Sequence, residues 1–146
     1  MRNLYPVIFI VSVMFILLSI FMTLPVHLLA FSGAPNAMAF AKSAAIVCGL
    51  GILGILCTYR QPRDLKPRFM FVLTVSSWLI VALLSALPFY LSNHGISMTD
   101  AFFESTSGIT TTGATVFSGL DQMDPDLLLW RSILQWMGGI GIIGMF

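Results

Sequence analysis

The chain alternates long apolar runs with short polar breaks, and its charges are few enough to follow one by one. After Arg2 no charged side chain occurs until Lys42. Residues 7–30 are 24 predominantly apolar positions, about 36 Å as a helix, enough to span a bilayer with some tilt. Pro25 lies near the far end of this run, where a kink is tolerable. The Ser32-Gly33-Ala34-Pro35-Asn36 cluster reads as a turn. A second span is expected over 39–59, with Lys42 snorkelling near its start. A third is expected over 69–91, with Pro88 near its exit, and a fourth over 127–146. The first run has a basic start and small residues after it, as a signal peptide would. It is longer than the 7–15 residues of a signal h-region, so a retained span is the expectation.

Composition excludes most soluble classes. Hydrophobic residues make up 58% of the chain and charged residues 9%, against about 25% charged in a soluble domain. Mean hydropathy is +0.95. A formal net charge of +1 gives no electrostatic footprint for nucleic acid. The sequence therefore predicts an all-α integral membrane protein. Two cysteines cannot make a disulfide scaffold. Cys48 and Cys57 are nine residues apart on one expected helix, too far to bridge, and read as small apolar core residues.

The basic residues set the expected orientation. Residues 60–68 hold Arg60, Arg63, Lys66 and Arg68, four of the seven basic residues, with Asp64 as the one acid. Short loops of this kind stay in the cytoplasm. The N-terminus is then cytoplasmic, and 32–38 and 92–126 lie outside. The expected organisation is a hairpin over 1–59, a basic cytoplasmic loop over 60–68, and a span–loop–span unit over 69–146. The last span ends at Phe146 without a basic anchor, so the chain is expected to be the N-terminal part of a longer membrane protein.

The 35 residues of 92–126 are long for a structureless connection. Thr99 is a helix N-cap type, Asp100 favours a helix start, and Gly108 supplies a stop. Residues 100–108 would give about 13 Å of helix, too short to cross but long enough to dip in. Thr110, Thr111 and Thr112 are β-branched and favour extended backbone, and Gly113 admits torsions closed to other residues. Such a return is tolerated in lipid only where it lines a water- or ion-filled path. A short inward helix brings its partly negative C-terminus to that path, and carbonyls of the return can replace water around a cation. The layout is that of a pore loop. An ordinary external loop with a short surface helix is the competing reading.

The remaining candidates have bland and functional readings. Asp100 and Glu104 are four apart on one helix face; they raise cation concentration at an outer mouth, or one of them pairs with Arg131 in the fourth span. Gly138, Gly139, Gly141 and Gly144 thin one side of that span for close packing. Ala41, Ala45 and Gly49 form a second small-residue stripe. His27 and His94 lack neighbours at metal-ligand spacing, and no acid/base or nucleophile pair suggests an enzyme.

Thr99-Asp100-Ala101-Phe102-Phe103-Glu104-Ser105, Ser107-Gly108-Ile109-Thr110-Thr111-Thr112-Gly113-Ala114-Thr115, Trp130-Arg131 and Gln135-Trp136-Met137-Gly138-Gly139-Ile140-Gly141-Ile142 together resemble the first pore repeat of the TrkH-type potassium transporters of the Trk/Ktr/HKT superfamily. The resemblance implies a K⁺-channel-like fold of four linked span–pore–span repeats preceded by a helical hairpin, of which this chain holds the hairpin and first repeat. It implies potassium uptake across the inner membrane, with or without H⁺ or Na⁺ symport. Backbone carbonyls of Thr110, Thr111, Thr112 and Gly113 would form the filter segment, Thr111 and Thr112 being the best candidates for K⁺ ligands. It also implies a cytosolic nucleotide-binding regulatory subunit, a homodimer of the full-length protein, and no cofactor beyond the transported ion. One pore loop cannot encircle an ion, so a homotetrameric channel and a non-conducting membrane subunit remain as alternatives.

Overall fold

A computed structural model describes residues 4–29, 33–60 and 67–143. Its elements are six α-helices: α1 Tyr5–Leu28, α2 Ala37–Thr58, α3 Pro67–Ser85, α4 Leu87–Tyr90, α5 Met98–Ile109 and α6 Pro125–Ile143, with a short 3-10 turn at Leu120–Gln122 before α6. Most of the basic segment over 60–68, and Gly144, lie outside the described residues. Among the described residues three stretches are long and apolar enough to cross a membrane, namely Tyr5–Leu28, Ala37–Thr58 and Phe69–Tyr90. The chain is a membrane protein. The expected fourth span coincides with α6, which is not among those three; Asp126, Arg131 and Gln135 and its glycines lower its apolar character.

The third span is interrupted where Pro88 requires it. Proline has no amide to donate and its ring crowds the preceding turn. α3 therefore ends at Ser85, the Ala86 amide takes a tighter bond to Leu83 (3.3 Å), and α4 restarts with Pro88 in its first turn. Ser85, at the interruption, offers its carbonyl to Trp130 Nε1 at 3.0 Å. Trp130 is fully buried and meets Phe40 of α2 edge to face, with ring centroids 6.0 Å apart. One indole thus ties α6 to both α3 and the hairpin. Around it lie Leu18, Met22, Phe40, Val47, Phe89, Leu127 and Leu134.

Within the hairpin, the packing face of α2 is not the expected one. Ala41 and Ala45 are exposed, and nothing lies within contact distance of a Cβ built on Gly49. The buried face of α2 instead carries Phe40, Ser43, Ala44, Val47, Gly51 and Thr58. A Cβ on Gly51 would crowd Ile16 and the Ser12 carbonyl, and one on Gly54 would overlap the Ser12 hydroxyl. Both sets fit the helix repeat, so spacing alone could not choose between them. The cysteine reading also changes: Cys57 is exposed on α2 and only Cys48 is partly buried.

A polar clasp joins the hairpin to the rest of the chain at one end of the array. Asn36, at the N-terminus of α2, is 1% exposed. Its amide donates to Asp126 Oδ2 (2.8 Å), and its side-chain nitrogen donates to Asp124 Oδ2 (2.7 Å) and Asp126 Oδ1 (3.0 Å). Its side-chain oxygen accepts from the Asn93 amide at 3.0 Å. Asp126 also accepts from the Leu127 amide, and Asp124 pairs with His94 at 2.7 Å. The α1–α2 turn, the segment after α4 and the start of α6 therefore share one end of the array. His27 sits exposed in the last turn of α1.

Two predictions follow from this packing. A Cβ on Gly138 would overlap the Ile109 carbonyl, whereas nothing lies near one on Gly139. Gly138→Ala should lower the melting temperature of the detergent-solubilised full-length protein by several degrees, about the effect of an overpacked core, and Gly139→Ala should leave it in place. Burial pushes the Asp124 carboxyl up, but hydrogen bonds from His94 and Asn36, with the His94 charge, outweigh it and hold the group below its ordinary value of 3.8. A depressed carboxyl adds stability above 3.8 that is lost as pH falls through its lower folded value. Melting temperature should therefore drop as pH falls from about 3.8 towards that lower value, and Asp124→Asn should flatten that part of the profile.

Candidate functional site

The segment between α4 and α6 enters as a capped helix. Ser97, not Thr99, is the N-cap: its backbone is extended (φ −64°, ψ 154°) and its hydroxyl accepts from the Asp100 amide at 3.1 Å. The same hydroxyl donates to Asp100 Oδ2 at 2.7 Å. Asp100 is thereby committed to the start of α5, where a carboxylate suits the helix dipole. The helix runs 12 residues, about 18 Å, one turn longer than the sequence suggested. Gly108 does not stop it. It lies inside the last turn, where its missing side chain makes room for Leu134 of α6, whose Cβ lies 3.0 Å from a Cβ built there.

The end of α5 is a Schellman turn with an unusual occupant. The Thr111 amide donates to Gly108 O (2.9 Å) and the Thr112 amide to Ser107 O (3.0 Å). This reciprocal pair is the signature of that motif, which places its left-handed residue between them. Glycine normally fills that position; here Thr111 does, at φ 58°, the one described non-glycine residue with positive φ. A left-handed conformation costs an L-residue about 1–2 kcal/mol, and a β-branched one is a true outlier. Gly113 follows at φ 76°, again in the left-handed region, with its amide 3.4 Å from Ser107 O. The stretch is thus a pair of left-handed turns rather than a regular strand.

The return limb is bound back to α5. The Ser107 hydroxyl donates to Ala114 O at 2.6 Å. Glu104 is fully buried. Its Oε1 accepts from the Thr115 hydroxyl (2.5 Å) and the Val116 amide (2.7 Å). Its Oε2 lies 2.8 Å from Arg131 Nε on α6, a charge contact without the alignment of a hydrogen bond. Of the two acids considered for Arg131, Glu104 is the one beside it, and Asp100 bonds to Ser97. The Thr110 hydroxyl donates to Thr106 O and lies 2.9 Å from that of Thr112. Among the described residues, no hydrogen bond ends on the carbonyls of Thr110, Thr111, Thr112 or Gly113, and all four residues are exposed.

Sequence reasoning missed Ser97, Ser107 and the Asn36 clasp. Ser97 precedes Asp100 by three, a spacing that marks an N-cap, and could have been preferred to Thr99. Nothing local marks Ser107 or Asn36, whose partners are set by the turn and by chain folding 88 and 90 residues away.

A family model described as "TrkH: Cation transport protein" matches residues 35–145. The Trk system potassium uptake protein TrkI of Halomonas elongata is 42% identical over 99% of this chain and 30% of its own length. The Trk system potassium uptake protein TrkH of Escherichia coli K12 is 39% identical over 92% of this chain and 28% of its own. The crystal structure of the potassium transporter TrkH from Vibrio parahaemolyticus superposes with a TM-score of 0.85 at 34% identity, covering 97% of this chain and 30% of that one. The chain thus spans less than a third of the length of these relatives. These relatives are named as uptake proteins and transporters, not as enzymes. With three membrane-length helices, a matching helical arrangement and a family model covering most of its residues, the chain belongs to the TrkH cation transport protein family.

Proposed function

We propose that this chain supplies the N-terminal hairpin and first span–pore-loop–span unit of a potassium uptake pore, with Thr110, Thr111, Thr112 and Gly113 as its share of the selectivity filter. The observation that carries this is the run of four residues whose amides all bond to carbonyls of α5 while their own carbonyls accept no hydrogen bond. In a membrane such carbonyls need a partner, and a dehydrated cation is one. Three of the last four carbonyls of α5 do not fill that role. Those of Thr106, Ser107 and Gly108 already accept from residues 110–113. The helix therefore contributes its dipole, and the return segment contributes the ligands.

In this reading hydrated K⁺ arrives from outside, loses water to the carbonyls of several such segments, and passes inward. The remaining segments belong to sequence beyond this chain, as the relatives' greater length supports. The N-terminus and the basic segment over 60–68 face the cytoplasm, and α5 enters from the periplasmic side of the inner membrane. The clasp of Asn36, Asp124 and Asp126 then lies on the outside. The working form is a homodimer of the full-length protein with a cytosolic nucleotide-binding regulatory subunit, and transport is coupled to H⁺ or Na⁺ or to neither.

The anchor behind the filter is the Glu104–Arg131 pair. Removing one member of a buried pair leaves the other charge uncompensated, at about 3–5 kcal/mol. Glu104→Gln retains an acceptor toward Thr115 and Val116 while removing the charge. Glu104→Gln and Arg131→Met should each lower the melting temperature of the full-length protein, and the double variant should lose less than the sum of the two. A strictly additive result would show that the pair does not interact.

Gly113 supplies the direct functional test. A Cβ there would meet nothing closer than Gln135 Nε2 at 3.6 Å, so space is not limiting and the backbone angle is. Gly113→Ala should shift that angle and lower the K⁺/Na⁺ uptake ratio of the full-length protein in proteoliposomes about three- to tenfold, in line with the cost of a left-handed alanine. An unchanged ratio would remove Gly113 from the filter.

A further inference from the structure

Ser107 touches three successive residues of the return segment with one backbone oxygen and one hydroxyl. Its carbonyl accepts from the amides of Thr112 (3.0 Å) and Gly113 (3.4 Å), and its hydroxyl donates to the carbonyl of Ala114 (2.6 Å). The residue is 6% exposed, so water competes little for these bonds.

Peptide planarity turns these contacts into an orientation. The amide of Thr112 and the carbonyl of Thr111 belong to one planar trans unit and point in opposite directions. Drawing the Thr112 amide onto Ser107 therefore turns the Thr111 carbonyl away from α5. Drawing the Gly113 amide onto the same oxygen does the same, less firmly, for the Thr112 carbonyl. The Ala114 carbonyl is treated the other way: the Ser107 hydroxyl holds it toward α5 and so withdraws it from the set of free acceptors.

We infer that Ser107 is a positioning residue for ion selection, fixing which carbonyls of the return segment are presented to the cation and where that set ends. The inference rests on the filter reading of residues 110–113 and deepens it. The hydroxyl is the part open to substitution, and its loss would leave the Ala114 carbonyl free to rotate into the path.

Ser105 is a matched control. It is fully buried on the same helix, and its hydroxyl also donates to a backbone carbonyl at 2.6 Å, but that carbonyl is Ala82 of α3, away from the return segment. Full-length wild type, Ser107→Ala and Ser105→Ala would be reconstituted in proteoliposomes, and K⁺ and Na⁺ uptake measured separately. The Ser107→Ala ratio of K⁺ to Na⁺ uptake should fall about three- to tenfold, the worth of one hydrogen bond, while Ser105→Ala keeps the wild-type ratio. Ser107→Ala with K⁺ and Na⁺ uptake lowered in step and the ratio intact would overturn the inference, as would an equal change of ratio in both variants. If Ser107→Ala does not reach the membrane, Ser107→Cys, near in size but a weak donor, is read against the same two outcomes. Failure of the underlying reading looks different: wild type itself would then show no preference for K⁺ over Na⁺.

Discussion

A chain that leaves its helix inside a membrane must find partners for its amides within the protein, because the surrounding lipid offers none. On the proposed pore-loop reading α5 ends inside the membrane, and it meets this demand locally. Four amides, those of residues 110–113, fold back onto the carbonyls of Thr106, Gly108 and Ser107. Satisfying the donors in this way leaves the acceptors of the same residues unoccupied, and the asymmetry is the source of whatever cation chemistry the segment has. A regular strand pairing with a neighbour would have consumed both. A continued helix would have consumed both as well.

The geometry carries a conformational cost, and the surroundings hold it in place. Thr111 sits in the left-handed region, which its branched side chain disfavours. Such strain persists only where neighbouring structure over-determines it. Here the restraint comes from two sides: the Schellman bonds upstream, and downstream the grip of Ser107 on Ala114 and of Glu104 on Thr115 and Val116. Glu104 is in turn placed beside Arg131 of α6, and α6 is brought to α5 by the absence of a side chain at Gly138. Removing any link relaxes the next. The threonine at 111 is thus explained as a residue held in place by its neighbours rather than as one suited to its own backbone.

How much of this was legible in the sequence divides along the range of the interactions. The first three membrane spans follow from apolar length and agree within a few residues, while the fourth coincides with α6, which is less apolar; the break near Pro88, inside a span expected as continuous, follows from a missing amide. The Thr110–Gly113 segment was visible as an anomaly, because three β-branched residues and a glycine between apolar spans have few uses. The helix start was misplaced by two residues because Ser97 and Thr99 are both capping types, and only geometry shows which accepts from the Asp100 amide. The α2 packing stripe was assigned to Ala41, Ala45 and Gly49, whereas Gly51 and Gly54 face α1. Two small-residue stripes on one helix, both compatible with its repeat, are told apart by what lies opposite. The Asn36 clasp was invisible for the same reason, its partners being 57 to 90 residues away.

The clasp and the Trp130 contact also tie the hairpin to α6. α1 and α2 carry none of residues 110–113, yet Asn36 holds both Asp124 and Asp126 at the start of α6, and Phe40 packs edge to face on Trp130 of the same helix. The position of α6 decides where Arg131 stands, and Arg131 faces the acid that holds the return limb. Asn36 is therefore linked, through Asp126, α6 and the Arg131–Glu104 pair, to Thr115 and Val116 on the limb that follows residues 110–113. A hairpin that only anchored the chain in the membrane would need no buried carboxylate at its junction. The desolvation cost of Asp126, fully buried and held by three donors, makes sense only if the junction must be made in one way.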